Sequence, residues 1–139
     1  MKRLFTLISL CLVLPACGML GRNVSLPTSE QAASDYRVML EPARRTYLSC
    51  VADYAHRLAS AQLLAEKIAD ASLTGCVSER RAYEAAAVEV GLRYDEARAT
   101  AIASSKVQGQ ELAKAARAMA FRMVEEDRAE LKSDRKAKQ

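Results

Sequence analysis

The 139-residue chain contains no tryptophan and one histidine, and its two phenylalanines and five tyrosines are spread along the sequence. A nucleic-acid-binding face needs a basic patch interleaved with aromatic side chains, which this distribution does not offer. The single histidine, His56, lacks the ligand spacing of known zinc patterns and has no sequence-local catalytic partner. Phosphate loops, zinc-binding helices and nucleophile elbows are missing as well. We therefore expect no nucleic-acid partner, no metal, no cofactor and no enzymatic activity.

Helix-breaking residues are also scarce. After Pro42 the sequence has no further proline and only three glycines, whereas alanine is abundant. No stretch alternates apolar and polar residues as a half-buried strand would. Because alanine is the strongest helix former and glycine and proline are the weakest, we predict an all-α fold. It should be a small bundle of three to four helices with a long C-terminal helix.

No apolar run is long enough for a transmembrane helix. The longest covers residues 4–14, whereas a helix that spans a bilayer needs about 20 apolar residues. This run follows Lys2 and Arg3 and precedes the small residue Ala16, which is the layout of a secretory signal. We therefore expect residues 1–16 to be removed as a signal peptide.

The end of this run resembles the lipobox of bacterial lipoproteins. Leu14, Ala16 and Cys17 match the family's leucine, its small residue and the cysteine that becomes the new first residue. The resemblance implies acyl chains such as palmitate on Cys17. It also implies sorting to the outer membrane, facing the periplasm, because Gly18 is not the aspartate that retains such proteins at the inner membrane. Several acyl chains anchor a protein stably, so the membrane itself is an expected partner. The alternative is a plain secreted protein in which Cys17 is incidental.

Two cysteines, Cys50 and Cys76, follow the expected anchor. In an oxidising compartment they should form a disulfide. One straight helix through both would separate them by more than 30 Å, whereas a disulfide needs Cα atoms within about 7 Å of each other. We therefore predict a turn near residues 59–62. The alternatives are a buried reduced pair, an intermolecular bridge and a metal site, of which the metal site is disfavoured because His56 lacks the spacing of known zinc ligands.

The domain boundaries follow from composition. Residues 17–28 contain two glycines, an asparagine, a serine and a proline, and should form a lipidated tether. The tether ends where Thr28 and Gln31 resemble a capping box. We expect residues 29–131 to form the helical domain and residues 132–139 to form a basic tail.

Local signals predict where the helices end. Pro42 should kink or restart the first helix, Gly75 should close the second in a left-handed conformation, and Ser78 should open the third. The third helix would be too long for its partners to cover if it continued unbroken to residue 131. We therefore predict a bend at residues 104–109, where two serines and a glycine weaken the helix. Residues 110–131 would then fold back as a fourth helix, or else project.

Composition leaves two hypotheses for function. Without Lys2 and Arg3 the chain carries 19 basic and 17 acidic residues, a net charge near +2, which gives no strong electrostatic preference for a partner. The first hypothesis is a structural or adaptor lipoprotein that contacts an envelope protein or the cell wall through Met119, Phe121, Met123, Lys136 and Lys138. The alternative is a small ligand- or lipid-binding module with a cavity lined by Tyr47, Tyr54, Tyr83 and Tyr94.

Overall fold

The computed structural model describes residues 29–138, which form four packed α-helices. They are α1 (Ser29–Leu58), α2 (Ala65–Gly75), α3 (Val77–Arg93) and α4 (Arg98–Ala137). The all-α fold and the long C-terminal helix are confirmed, and none of these residues lies in a strand. The segments predicted to be a signal peptide, a lipobox, a tether and a helix cap at Thr28 lie outside the described residues.

Helices α1 and α4 run parallel to each other along the bundle. Near the start of both helices Gln108 hydrogen-bonds Tyr36, and near the end of α1 His56 contacts Asp127. The partners in these two pairs are 72 and 71 residues apart in sequence, so the register between α1 and α4 stays constant along their length. Helices α2 and α3 are separated by the single residue Cys76 and together return antiparallel to α1.

The disulfide between Cys50 and Cys76 is confirmed, with the two Cα atoms 6.0 Å apart. It requires the chain to reverse after α1, and the reversal covers residues 59–64, which include the predicted turn. Arg128 of α4 holds this loop in place. Its guanidinium donates hydrogen bonds of 3.0, 2.9 and 2.6 Å to the backbone carbonyls of Ala59, Ala61 and Leu63. The N–H groups of the guanidinium thus provide hydrogen bonds to loop carbonyls that are not bonded within a helix.

The junction of α2 and α3 confirms one boundary and corrects two details. Gly75 ends α2 as predicted, but it does not adopt the left-handed conformation. Glycine is needed for space instead, because a Cβ atom there would lie 2.6 Å from the ring of Tyr54. Ser78 does not cap α3, which begins at Val77; its hydroxyl donates to the Glu79 carboxylate at 2.8 Å.

The predicted bend at residues 104–109 is wrong, because the chain turns at residues 94–97 and α4 continues through the segment without a break. Asp95 adopts a left-handed φ of 57° at this turn. The backbone N–H of Glu96 donates to the carbonyl of Gly91 at 3.2 Å, which closes α3 with a Schellman-type bond. Aspartate tolerates the left-handed conformation better than most residues, so the turn forms without glycine or proline.

The small residues that suggested a bend form the packing seam of α4. Ser105 is only 3% exposed, and Gly109 is buried where Glu84 of α3 occupies the space that a Cβ atom would need. Buried positions recur every three or four residues along the helix, at Ala101, Ser105, Gly109, Leu112, Ala116, Ala120 and Val124. The small side chains let α3 approach α4 closely. The favourable packing at this contact offsets the low helix propensity of serine and glycine.

Helix α1 passes through Pro42 and neither ends nor restarts there. Proline removes the N–H that would pair with the carbonyl of Val38. Val38 is 69% exposed, so water can hydrate that carbonyl. The opposite face of α1 is held in the core by the fully buried side chains of Tyr47, Val51 and Ala55. Burial of this face therefore outweighs the local cost of proline.

Candidate functional site

A groove of about 1100 Å³ lies between the first half of α1, the end of α3 and the turn into α4. Its apolar lining includes Leu40 and three tyrosines, Tyr36, Tyr83 and Tyr94. The rings of Tyr36 and Tyr94 are tilted by 39° with centroids 6.5 Å apart. Both rings are half-buried, whereas Tyr83 is 8% exposed. The groove is thus a concave surface with aromatic walls, as many small-molecule sites are.

Hydrogen bonds fix the polar side of this groove. The Tyr36 hydroxyl accepts a bond of 3.0 Å from Gln108 Nε2 and donates to the backbone carbonyl of Ala87 at 3.4 Å. Gln108 is itself held by a contact of 3.2 Å to the Ser104 hydroxyl. Burial raises the pKa of Tyr83, so its hydroxyl stays protonated at neutral pH. Tyr36 was missed in the sequence, although it lies four residues before Leu40 and hence on the same face of α1.

The rim of the groove carries charges of both signs. Glu41 contacts Arg45 at 2.8 Å and Arg44 at 3.3 Å, and the hydrogen bond from Arg45 lowers the pKa of the Glu41 carboxyl. The remaining charged residues at the rim form no ion pair within residues 29–138: Arg37, Arg93, Asp95 and Glu96. Arg45 does not line the groove itself. The lining thus contains three arginines (37, 44 and 93) and three carboxylates (41, 95 and 96), which give no net preference for an anion or a cation.

The other two tyrosines that were predicted to line a cavity lie elsewhere. Tyr47 is fully buried, and burial raises the pKa of its hydroxyl, which has no hydrogen-bond partner in the described structure. Tyr54 packs against Gly75, and the guanidinium of Arg57 lies 4.9 Å from its ring centroid. The structure therefore brings Tyr83 and Tyr94 together but not Tyr47 and Tyr54.

The stripe predicted to contact a partner is only partly accessible. Met119 and Phe121 are half-buried and pack against the core, and Met123 is also half-buried. Lys136 and Lys138 are exposed at the end of α4. The register between α1 and α4 places Leu58 level with residue 129, so residues 130–137 extend about 12 Å beyond the end of α1.

A second depression lies where α4 passes the end of α1. His56 Nδ1 lies 2.9 Å from Asp127 Oδ2, although the two residues are 71 positions apart, so sequence reasoning could not pair them. The His56 side chain is 73% exposed, and such an exposed pair contributes little to stability. Ser60 lines the same depression, but within residues 29–138 no hydroxyl is hydrogen-bonded to His56. A catalytic triad would need that bond.

Potential metal ligands gather at the disulfide. The sulfur atoms of Cys50 and Cys76 and a carboxylate oxygen of Glu79 all lie within 4.8 Å of one another. A metal ion binds cysteine as the thiolate, and the two sulfurs here are joined to each other. In this oxidised state the cluster is a covalent cross-link between α1 and the junction of α2 and α3.

No protein-family model, curated protein or solved structure matches this chain. Among residues 29–138, no helix is both long and apolar enough to cross a membrane.

Proposed function

We propose that the protein is a lipid-anchored helical adaptor of the bacterial envelope, held in the outer membrane through Cys17. The lipobox residues Leu14, Ala16 and Cys17 support the anchor, and the parallel arrangement of α1 and α4 is the observation that carries the adaptor role. Because both helices run in the same direction, the end nearest the anchor and the basic end of α4 lie at opposite ends of the bundle. One end can thus be attached to the membrane while the other contacts a partner.

The dimensions of the chain suit a spacer. The eleven residues between Cys17 and the start of α1 at Ser29 can extend to about 35 Å. Helix α4 has 40 residues and is therefore about 60 Å long. In this arrangement the far end of α4 lies several nanometres from the bilayer to which Cys17 is attached.

The far end of α4 is basic and exposed. Residues 130–138 contain four cations, at 132, 135, 136 and 138, and two carboxylates, at 130 and 134, so the segment carries a net charge of about +2. Three of the cations lie in the last four positions: Arg135, Lys136 and Lys138. Each cation near an anionic surface contributes about 1 kcal/mol of attraction, and salt screens this attraction. The positive charge at this end of α4 therefore favours an anionic partner, such as a wall polymer or an acidic protein surface.

The Cys50–Cys76 disulfide also supports this location, because such bonds persist in oxidising compartments such as the bacterial periplasm. The only other cysteines in the sequence are Cys11, within the expected signal peptide, and Cys17. If Cys17 is acylated, the mature chain has no unpaired thiol.

Charge reversal in intact cells tests the adaptor role. Lys136→Glu/Lys138→Glu should weaken crosslinking of the full chain to its partner or to the wall fraction, because it replaces attraction by repulsion at the contact. The matched control is Lys67→Glu/Lys106→Glu, which makes the same charge change at exposed positions away from the tail. Cys17→Ser should release the protein from the membrane fraction. Equal crosslinking by the tail variant and the control would contradict the adaptor role.

The groove favours ligand binding as a second candidate function. Its volume of about 1100 Å³ lies slightly above the range of typical ligand pockets, about 300–1,000 Å³, and its walls are aromatic. Native mass spectrometry of the extracted full chain should then detect a bound small molecule or lipid. Tyr94→Arg should abolish that adduct by filling the groove with a charged side chain, whereas Tyr54→Phe, outside the groove, should keep it. An adduct that both variants retain, or no adduct in the wild type, would contradict this function.

A further inference from the structure

Three residues with ligand chemistry, Cys50, Cys76 and Glu79, cluster at the disulfide, and Asp53 lines the same surface depression as Cys50 and Glu79. On α1, Asp53 follows Cys50 by three residues; at the start of α3, Glu79 follows Cys76 by three residues. This spacing places each carboxylate one helical turn from its cysteine and on the same face. We propose that reduction of the disulfide converts this cluster into a binding site for a divalent metal ion of the zinc class.

The distances suit such an ion. The two sulfurs and a Glu79 oxygen lie within 4.8 Å of one another, and the cysteine Cα atoms are 6.0 Å apart. Zinc takes four ligands from thiolate, imidazole and carboxylate groups at about 2.0–2.3 Å. Cys50, Cys76 and Glu79 would supply three ligands and water the fourth, because Asp53 lies outside this cluster.

The surroundings already orient one of these ligands and leave an approach open. The Ser78 hydroxyl donates to Glu79 Oε2 at 2.8 Å, the kind of outer contact that fixes a metal-binding carboxylate. Cys76 is fully buried, but Cys50 and Glu79 are half-buried and line a surface depression that also includes Asp53. Arg45, which also lines it, is already paired with Glu41 at 2.8 Å. An ion can therefore approach Cys50 and Glu79 through the depression, with Cys76 forming its buried floor once the sulfur–sulfur bond is broken.

The chemistry is a two-electron exchange followed by ligation. A dithiol reductant transfers two electrons and two protons to the Cys50–Cys76 bond, which breaks into two thiols while the reductant becomes a disulfide. Metal binding then forms two sulfur–metal bonds and releases the two thiol protons. The ion replaces the covalent cross-link between α1 and the junction of α2 and α3, so the bundle stays fastened in both redox states. This site does not depend on the membrane anchor or on the adaptor role.

Cobalt binding tests the site on the full chain in detergent. After reduction with a phosphine, the wild type should bind one Co²⁺ with thiolate-to-metal charge-transfer absorption, and Zn²⁺ should displace it. The oxidised chain should give no such absorption. Glu79→Gln should weaken binding by at least about tenfold, since a ligand is lost. Glu89→Gln is the matched control, an exposed glutamate farther along α3, and should bind as the wild type does.

Thermal unfolding of the reduced protein distinguishes loss of the metal site from loss of the fold. Zn²⁺ should raise the melting temperature of the reduced wild type, or restore its helical circular dichroism if reduction unfolds it, because the ion binds only the folded site. Cys50→Ser should show no such response. Absence of Co²⁺ absorption from the reduced wild type, unchanged affinity in Glu79→Gln, or a melting temperature that Zn²⁺ does not move would each overturn the proposal.

Discussion

Removing the disulfide should cost this small domain a large part of its stability. The bond joins residues 26 positions apart, and it stabilises the fold chiefly because the closed loop restricts the unfolded chain. For a loop of this length the chain-entropy relation gives about 3.5 kcal/mol at 25 °C. Since native domains are stable by only about 5–15 kcal/mol, this loss is between about a quarter and two thirds of the total free energy of unfolding.

Urea denaturation followed by helical circular dichroism measures this cost. With a urea m-value of about 2 kcal/mol per M, the midpoint should fall by about 1.8 M when the wild type is reduced. The buffer must contain a chelator, because a metal bound to the freed thiols would restore part of the lost stability. The m-value should also rise, since the reduced unfolded chain exposes more surface.

The double variant Cys50→Ala/Cys76→Ala is the matched control. It should unfold near the midpoint of the reduced wild type, slightly lower because truncating the buried Cys76 side chain removes packing. Adding reductant to this variant should change nothing. A loss below about 1 kcal/mol in the reduced wild type would refute the reasoning, since the loop closure would then contribute far less than its length predicts.

Four further predictions concern local packing and protonation. Gly75→Ala should destabilise the fold by about 1–2 kcal/mol, because the added Cβ meets the rigid ring of Tyr54, and an unchanged melting temperature would show that the ring moves freely. Tyr47→Phe should be neutral or stabilising by up to about 1 kcal/mol, since it removes a buried hydroxyl without a partner; a clear loss in urea denaturation would reveal a hydrogen bond. Asp95→Gly should stabilise by about 1 kcal/mol in the same assay because glycine adopts the left-handed φ without strain, and a decrease would contradict that reading of the turn. Burial raises the pKa of Tyr47 and Tyr83 above the value of 10.0 for a free tyrosine, so the folded chain holds these protons more tightly than the unfolded chain. The contribution of these two hydroxyls to the free energy of unfolding should therefore be fully present below about pH 10 and decrease as the pH rises above it. In an absorbance titration of the folded protein, two tyrosines should ionise at higher pH than the others. Ionisation of all tyrosines at the same pH would contradict the burial.

The parts of the fold that the sequence predicted correctly rest on strong local or geometric constraints. Alanine-rich composition and the lack of proline after Pro42 are sufficient for an all-α fold. The turn after α1 follows from the two cysteines alone, because a disulfide limits the distance between Cys50 and Cys76. Gly75 marked the end of α2 correctly, although the reason is the ring of Tyr54 rather than backbone conformation.

The incorrect predictions arise where tertiary packing overrides propensity. Ser105 and Gly109 have low helix propensity, yet the close contact with α3 selects small residues there and keeps α4 intact. The actual turn at Asp95 contains no glycine or proline, so the signals used for helix ends do not detect it. The local sequence signal of this turn is the aspartate itself, because aspartate is one of the few residues besides glycine that adopt the left-handed conformation at a helix end.

The candidate sites were only partly predictable, because they depend on the register between distant helices. Tyr36 meets Gln108 across 72 residues, and His56 meets Asp127 across 71 residues. Neither spacing carries a local pattern, since the partners belong to different helices. The pairing of Cys50 with Cys76 could be predicted because only these two cysteines remain once Cys11 is assigned to the signal peptide and Cys17 to the anchor.

The central claim, that the protein is fixed to a membrane by acyl chains on Cys17, is tested most directly by the intact mass of the membrane-extracted mature protein. The account predicts a chain that begins at Cys17 and carries the added mass of a diacylglycerol group and an amide-linked fatty acid. A mature chain with an unmodified Cys17, or one that still retains residues 1–16, would contradict it.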